Sequence, residues 1–252
     1  MRFKVTDLLI FILLFIFVSA FPVELFHISE FYQLLIRIGL RLLILIYYIY
    51  ICFTNRINIF KFYNLKRILL FVPFMLACFS NLIAAGIDVA YPGYTVMSDG
   101  IFSMLIIYHF LGAIVEEFLF RLFIQNALVN ASSMKRILFS AAIFALFHLL
   151  NVVNVSTVDG LVTVAIQVAY NFGLGILLGF VYEYTYSLPA CITLHFCFNF
   201  FNTVLYQYLG CSTRTSDFTF YLTAVVIAVV LAAYITLIYF LVLKRNNKYF
   251  RE

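Results

Sequence analysis

The sequence predicts an all-α, polytopic transmembrane helical bundle of about eight spans with both termini cytoplasmic. Three observations predict it. Of the 252 residues, 65% are hydrophobic and only 11% charged, with a mean hydropathy of +1.08, which is more apolar surface than a soluble core of this size can hide. The apolar runs are continuous over helical lengths, whereas a β-barrel would alternate apolar and polar positions. Basic residues gather in alternate loops, as they do on the cytoplasmic side of a membrane.

Taken in order between charged breaks, the spans run from roughly 5 to 22, 34 to 53, 68 to 86, 101 to 129, 136 to 151, 161 to 183, 188 to 208 and 218 to 243. The first follows Arg2 and Lys4, and the second ends before Arg56. The third follows Lys61, Lys66 and Arg67, and Lys135 and Arg136 separate the fourth from the fifth. The last ends before Lys244, Arg245, Lys248 and Arg251. All of these cations fall on one side, predicted to be cytoplasmic, while Glu24, Glu30, Asp88, Asp99, Asp159 and Asp217 fall in the opposite loops with Arg214.

The net charge of +5 sits beside the membrane, where anionic headgroups attract it, so it calls for no nucleic acid. The cysteines Cys52, Cys78, Cys191, Cys197 and Cys211 follow no C-x-x-C pattern, which argues against a disulfide framework or a zinc knuckle. The start of the chain, ending in Val18-Ser19-Ala20, also has the form of a cleavable signal peptide. No repeat or long linker interrupts the chain, so residues 1–252 are expected to form a single integral membrane domain. The abundant Phe and Tyr are expected to face lipid and interface.

Polar side chains interrupt the later spans at three places. The first is Glu116, Glu117 and Arg121, in an otherwise apolar stretch where a carboxylate is costly and functional by default. Positions four apart share a helical face, so Glu117 can pair with Arg121, while Glu116, rotated by about 100°, is left available. His109, seven residues before Glu116, is expected to be a hydrogen-bonded span histidine. The second place is Phe144 with His148, and the third is His195 with Asn199, again four apart. Cys191 shares that last stripe, but a cysteine beside its own base on one face makes a poor nucleophile arrangement.

Depth brings the three together. Counted from the cytoplasmic ends at about 1.5 Å per residue, Glu116 lies roughly 20 Å in, His148 roughly 18 Å, His195 roughly 10 Å and Asn199 roughly 16 Å. These levels are compatible with one cluster at mid-membrane.

Glu-Glu-x-x-x-Arg at 116 to 121, Phe-x-x-x-His at 144 to 148 and His-x-x-x-Asn at 195 to 199, in this order on successive spans, resemble the motifs of the CPBP (Abi) family of type II CAAX prenyl endopeptidases and bacteriocin-processing proteins. The motif region is 101–208. The resemblance implies a glutamate-dependent intramembrane protease in which Glu116 activates water with help from His148. His195 and Asn199 would hold the oxyanion, and Glu117 with Arg121 would brace the helix. The chemistry suits these residue types: a carboxylate in a low-dielectric cavity is a stronger base, and a neutral donor stabilises a developing oxyanion by about 3 kcal/mol.

No cofactor is expected, although Glu116, His148 and His195 make an alternative zinc set with water as fourth ligand. The absence of H-E-x-x-H favours the metal-free scheme. There is no G-x-S-x-G and no aspartate pair within the spans. The resemblance also admits a non-catalytic scaffold for bacteriocin immunity. A transporter reading rests only on Gly173, Gly175 and Gly179, which close helix packing explains more simply. The expected partners are the lipid bilayer and a peptide or protein substrate entering from the membrane or cytoplasm. The expected location is a bacterial cytoplasmic membrane, with a secreted peptide precursor preferred as substrate.

Overall fold

A computed structural model describes residues 5–57, 98–128, 130–155, 157–208 and 217–239, with positions 59, 71 and 78. The expected third span, 68–86, lies largely outside them, as do Arg2, Lys4, Lys61, Lys66, Arg67, Asp88, Cys211, Arg214 and the cations after 240. Among the described residues the secondary structure is entirely helical: α1 (Val5–Ser19), α2 (Glu30–Thr54), α3 (Asp99–Glu117), α4 (Ser133–Phe147), α5 (Val158–Thr185), α6 (Leu188–Asn199) and α7 (Asp217–Ile238), with short 3₁₀ and π segments between. Among the described residues four helices are long and apolar enough to cross a membrane, namely Glu30–Thr54, Asp99–Gln125, Ser133–Val153 and Val158–Thr185. The protein is multi-pass. The first, seventh and last expected spans correspond to shorter apolar helices, Thr6–Ser19, Leu188–Val204 and Val229–Ile238.

Three helix starts carry hydroxyl caps. Ser98 accepts from the Ile101 N–H, Thr157 from Gly160 and Ser187 from Ala190, each supplying an acceptor to an otherwise orphaned first-turn donor and contributing about 1 kcal/mol. Two helices do not end as α-helix. After Glu117 the chain continues as a π-helix, Phe118–Gln125, and after Asn199 as a second, Phe200–Val204. Helix α4 stops short of the expected 151, the His148 ring bonds the Phe144 carbonyl, and a 3₁₀ segment, His148–Asn154, follows.

The packing places the polar positions. Leu34 shares a cluster with Leu105, Arg41 lies against Gly112, and the Tyr48 and Phe118 rings stack at 6.2 Å. The contacts advance together, so α2 and α3 run parallel. By contrast Gly179 meets Ile137 while Gly175 meets Ala141, a reversed order that makes α4 and α5 antiparallel. At one end of that pair Arg136 donates to Glu183 at 2.8 Å, and Gln125 donates to Glu183 and to the Gly179 carbonyl, both at 3.2 Å. Glu183 and Gln125 thereby tie the π-helix to α4 and α5.

The aromatic residues are not confined to lipid and interface. Phe11, Phe71, Phe120, Phe123, Phe144 and Phe180 are fully buried, and Phe11 stacks on Phe123 with 4.0 Å between centroids. Lipid is as apolar as these rings, so helices associate through close contact, which large flat rings supply.

Gly175 and Gly179 of α5 serve close approach, as expected, and Gly173 does not. A methyl at Gly175 would stand 3.0 Å from the Cα and Cβ of Ala141, whereas one at Gly173 meets nothing nearer than Leu231 at 3.6 Å. Gly175→Leu is expected to destabilise the protein by about 1–3 kcal/mol through forced separation of α4 and α5. Gly173→Ala is expected to stay within about 0.5 kcal/mol, and thermal unfolding in detergent measures both.

Candidate active site

Glu116 and Glu117 close the last turn of α3, immediately before the π-helix, and His195 and Asn199 close α6 immediately before the other. A wider i→i+5 turn re-aims the side chains around it, and such segments are common at functional sites. Here they flank both halves of one site.

Glu117 is at its centre. It is fully buried, and its Oε2 accepts from Arg121 Nε at 2.9 Å while its Oε1 accepts from His195 Nδ1 at 2.8 Å. Arg121, also fully buried, donates through Nη1 to Ser140 Oγ at 3.2 Å, and Ser140 donates to the Phe120 carbonyl at 2.8 Å. The expected Glu117–Arg121 pair is therefore present. Its role is wider than bracing one helix, since it extends across to α6 and fixes the His195 ring.

That bond also sets the tautomer. With Nδ1–H donated to Glu117, the nitrogen left for chemistry is Nε2, which lies 3.7 Å from Glu116 Oε2. Glu116 differs sharply from its neighbour: its side chain keeps 18% exposure. Just after α4, His148 Nδ1 donates to the Phe144 carbonyl at 2.9 Å, leaving Nε2 as an acceptor. The Phe144 ring stands edge-on to both histidines, 5.1 Å from His148 and 5.6 Å from His195. It holds the two imidazoles apart.

A cavity of about 540 Å³ opens over these groups, and Glu116, His148, His195 and Asn199 all line it. The four residues singled out on three separate spans are thus brought to one chamber. His109 lines it too. Among the described residues no hydrogen bond to His109 is seen, unlike the hydrogen-bonded span histidine expected, and its ring approaches Tyr108 edge-on at 5.2 Å. Among the described residues no three His, Cys, Asp or Glu side chains are grouped to hold a metal ion. Among the described residues Cys52, Cys78, Cys191 and Cys197 form no disulfide.

Residues 98–201 match the family model described as "Type II CAAX prenyl endopeptidase Rce1-like". This segment resembles an Rce1-like domain. The family is one of proteases, and it agrees with the CPBP resemblance carried by the three motifs. No curated protein and no solved structure gave a match. The Rce1-like domain begins at the Ser98 cap of α3 and ends in the π-helix after α6, so it contains every motif residue. It does not contain α1, α2 or α7.

The cavity nevertheless reaches beyond the Rce1-like domain. Phe15 and Val18 of α1 and Arg37 and Arg41 of α2 complete its wall. Opposite, Gln167 and Asn171 of α5, with Asn202 of the second π-helix, add carboxamides. The sequence reading missed these residues, yet Arg37 with Arg41 and Gln167 with Asn171 carry the same signal used for the motifs: polar side chains four apart inside an apolar run.

Proposed function

We propose that the protein is an intramembrane endopeptidase that hydrolyses a peptide bond with a water activated by Glu116. The observation that carries this reading is one chamber lined by a solvent-reachable carboxylate, two imidazoles each anchored through Nδ1 and a carboxamide. Glu116 takes a proton from water, and the His148 Nε2 lone pair accepts the other hydrogen and orients the oxygen. The oxygen adds to the scissile carbonyl carbon, and the displaced π electrons form an oxyanion. Asn199 donates one hydrogen bond to that oxyanion and His195 Nε2–H another.

For His195 to donate on both sides it must be an imidazolium. Its nearest neighbours suit this form: Glu117 Oε1 lies 2.8 Å from Nδ1 and Glu116 Oε2 lies 3.7 Å from Nε2. On collapse the C–N bond breaks, and the amine leaves with the proton that Glu116 took, which restores the carboxylate. No metal enters these steps, and none of the residues used needs one. The substrate is a peptide or protein segment reaching the chamber from membrane or cytoplasm, with a secreted peptide precursor in a bacterial cytoplasmic membrane the favoured setting.

The test is cleavage of a fluorogenic peptide library by the purified protein, with and without chelator, beside Asn199→Ala. Turnover indifferent to chelator and reduced about 10²–10³-fold in kcat by Asn199→Ala is the expected result. Loss on chelation with recovery on adding zinc would replace this scheme by a metallopeptidase. A well-folded protein that cleaves nothing would favour a non-catalytic scaffold.

A further inference from the structure

The guanidinium of Arg41 has no role in the scheme above, and it stands near the middle of α2, a span apolar enough to cross the membrane. A charge at that depth is costly and calls for a partner. Its recorded contacts are with Tyr108: Nη1 donates to the Tyr108 carbonyl, and the guanidinium carbon lies 3.5 Å from the Tyr108 ring centroid. These contacts orient the planar fork and, among the described residues, leave it without a carboxylate partner. Gly112 is what admits it, since a methyl there would stand 2.8 Å from Arg41 Nη1.

Tyr108, Gly112 and Glu116 follow one another at intervals of four, on one stripe of α3 that faces the cavity. Arg41 therefore sits one turn from Glu116, a rise of about 5.4 Å along the axis. Arg37, one turn earlier on α2, lines the same chamber. The chamber thus has a cationic wall and a catalytic carboxylate side by side.

We infer that Arg41 is a specificity-determining residue that anchors a carboxylate of the peptide substrate close to the scissile bond. The inference rests on the peptidase reading and adds what the site selects. A planar guanidinium takes a carboxylate through two parallel N–H···O bonds, geometry a lysine cannot copy. An extended peptide advances about 3.3–3.6 Å per residue, so a carboxylate at Arg41 lies one to three residues from the bond presented to Glu116. It is either the peptide's own terminus or an acidic side chain at that distance. Arg41 lies outside the segment that matches the family model, so this selectivity belongs to the chain's own second helix.

The test uses three fluorescein-labelled apolar peptides of one sequence: the C-terminal acid, its amide, and the amide with a Glu placed within three residues of the bond. Anisotropy measures their binding to the full-length wild-type protein, Arg41→Gln and Arg41→Lys in phosphatidylcholine nanodiscs. Wild type is expected to favour at least one carboxylate-bearing peptide over the neutral amide by about tenfold or more, and Arg41→Gln to bring that ratio to about one, with Arg41→Lys between. The peptide that shows the preference identifies the source of the carboxylate. A merely structural Arg41 would weaken all three peptides alike and leave the ratio unchanged.

Equal wild-type binding of all three overturns the inference. So does equal binding accompanied by displacement on adding phosphatidylglycerol, which would assign Arg41 to lipid. Because the readout is binding, a selective protein that cleaves nothing would sink the peptidase reading and leave the anchor standing. An efficient peptidase with no carboxylate preference would do the reverse.

Discussion

Replacing Glu116 with glutamine is expected to lower peptide cleavage about 10³-fold with little change in stability, within about 0.5 kcal/mol. The two side chains have the same shape, and Glu116 makes no hydrogen bond that folding requires; its one close neighbour is His195 Nε2 at 3.7 Å. Its 18% exposure within the cavity means that a neutral amide leaves no buried donor stranded. The carboxamide cannot take a proton from water, so the step lost is chemical. Kinetics in detergent or nanodiscs separate the outcomes: kcat falls while peptide binding persists. Retained turnover in a folded Glu116→Gln protein would remove Glu116 from the mechanism and direct attention to His148, the next acceptor in the chamber.

Arg121→Leu is expected to have the largest effect on stability, about 3–5 kcal/mol, because it leaves a buried carboxylate without its cation. Both partners have no exposed side-chain surface, and they meet at 2.9 Å. Ser140 would lose its bond from Arg121 as well. The companion Glu117→Gln removes the charge while keeping an acceptor near His195 Nδ1, and the double substitution is expected to cost much less than the sum of the two. Thermal unfolding of the four proteins in one detergent closes this double-mutant cycle. Additive losses would mean that the two groups are not coupled. Cleavage by Glu117→Gln reports a second consequence, since a weaker hold on His195 loosens the ring that faces Glu116.

The contrast between the adjacent glutamates was legible before any coordinates. A four-residue interval gives Glu117 a cation on its own face and denies one to Glu116, and the structure places them that way. His148 and Asn199 were found by the same arithmetic, and their meeting in one cavity agrees with depths counted along each span. The bond from Glu117 to His195 was not legible, because it joins residues 78 apart in sequence and no periodicity connects two helices. Nor were the π-helices, whose extra residue per turn depends on what each helix packs against. Arg41 shows a different failure. Its spacing from Arg37 was visible, but only the parallel packing of α2 on α3 reveals that it comes within one turn of Glu116.

By itself the sequence determined that this chain is helical and multi-pass, and which polar residues had to find a purpose inside the membrane. Both follow from local costs, since an apolar run must shed water and a charge within it must find compensation. Only the tertiary structure decided which of those residues meet. Contacts between helices depend on the direction, register and closeness of neighbouring spans, such as the approach that Gly175 and Gly179 permit between α4 and α5, and these are properties of pairs of helices.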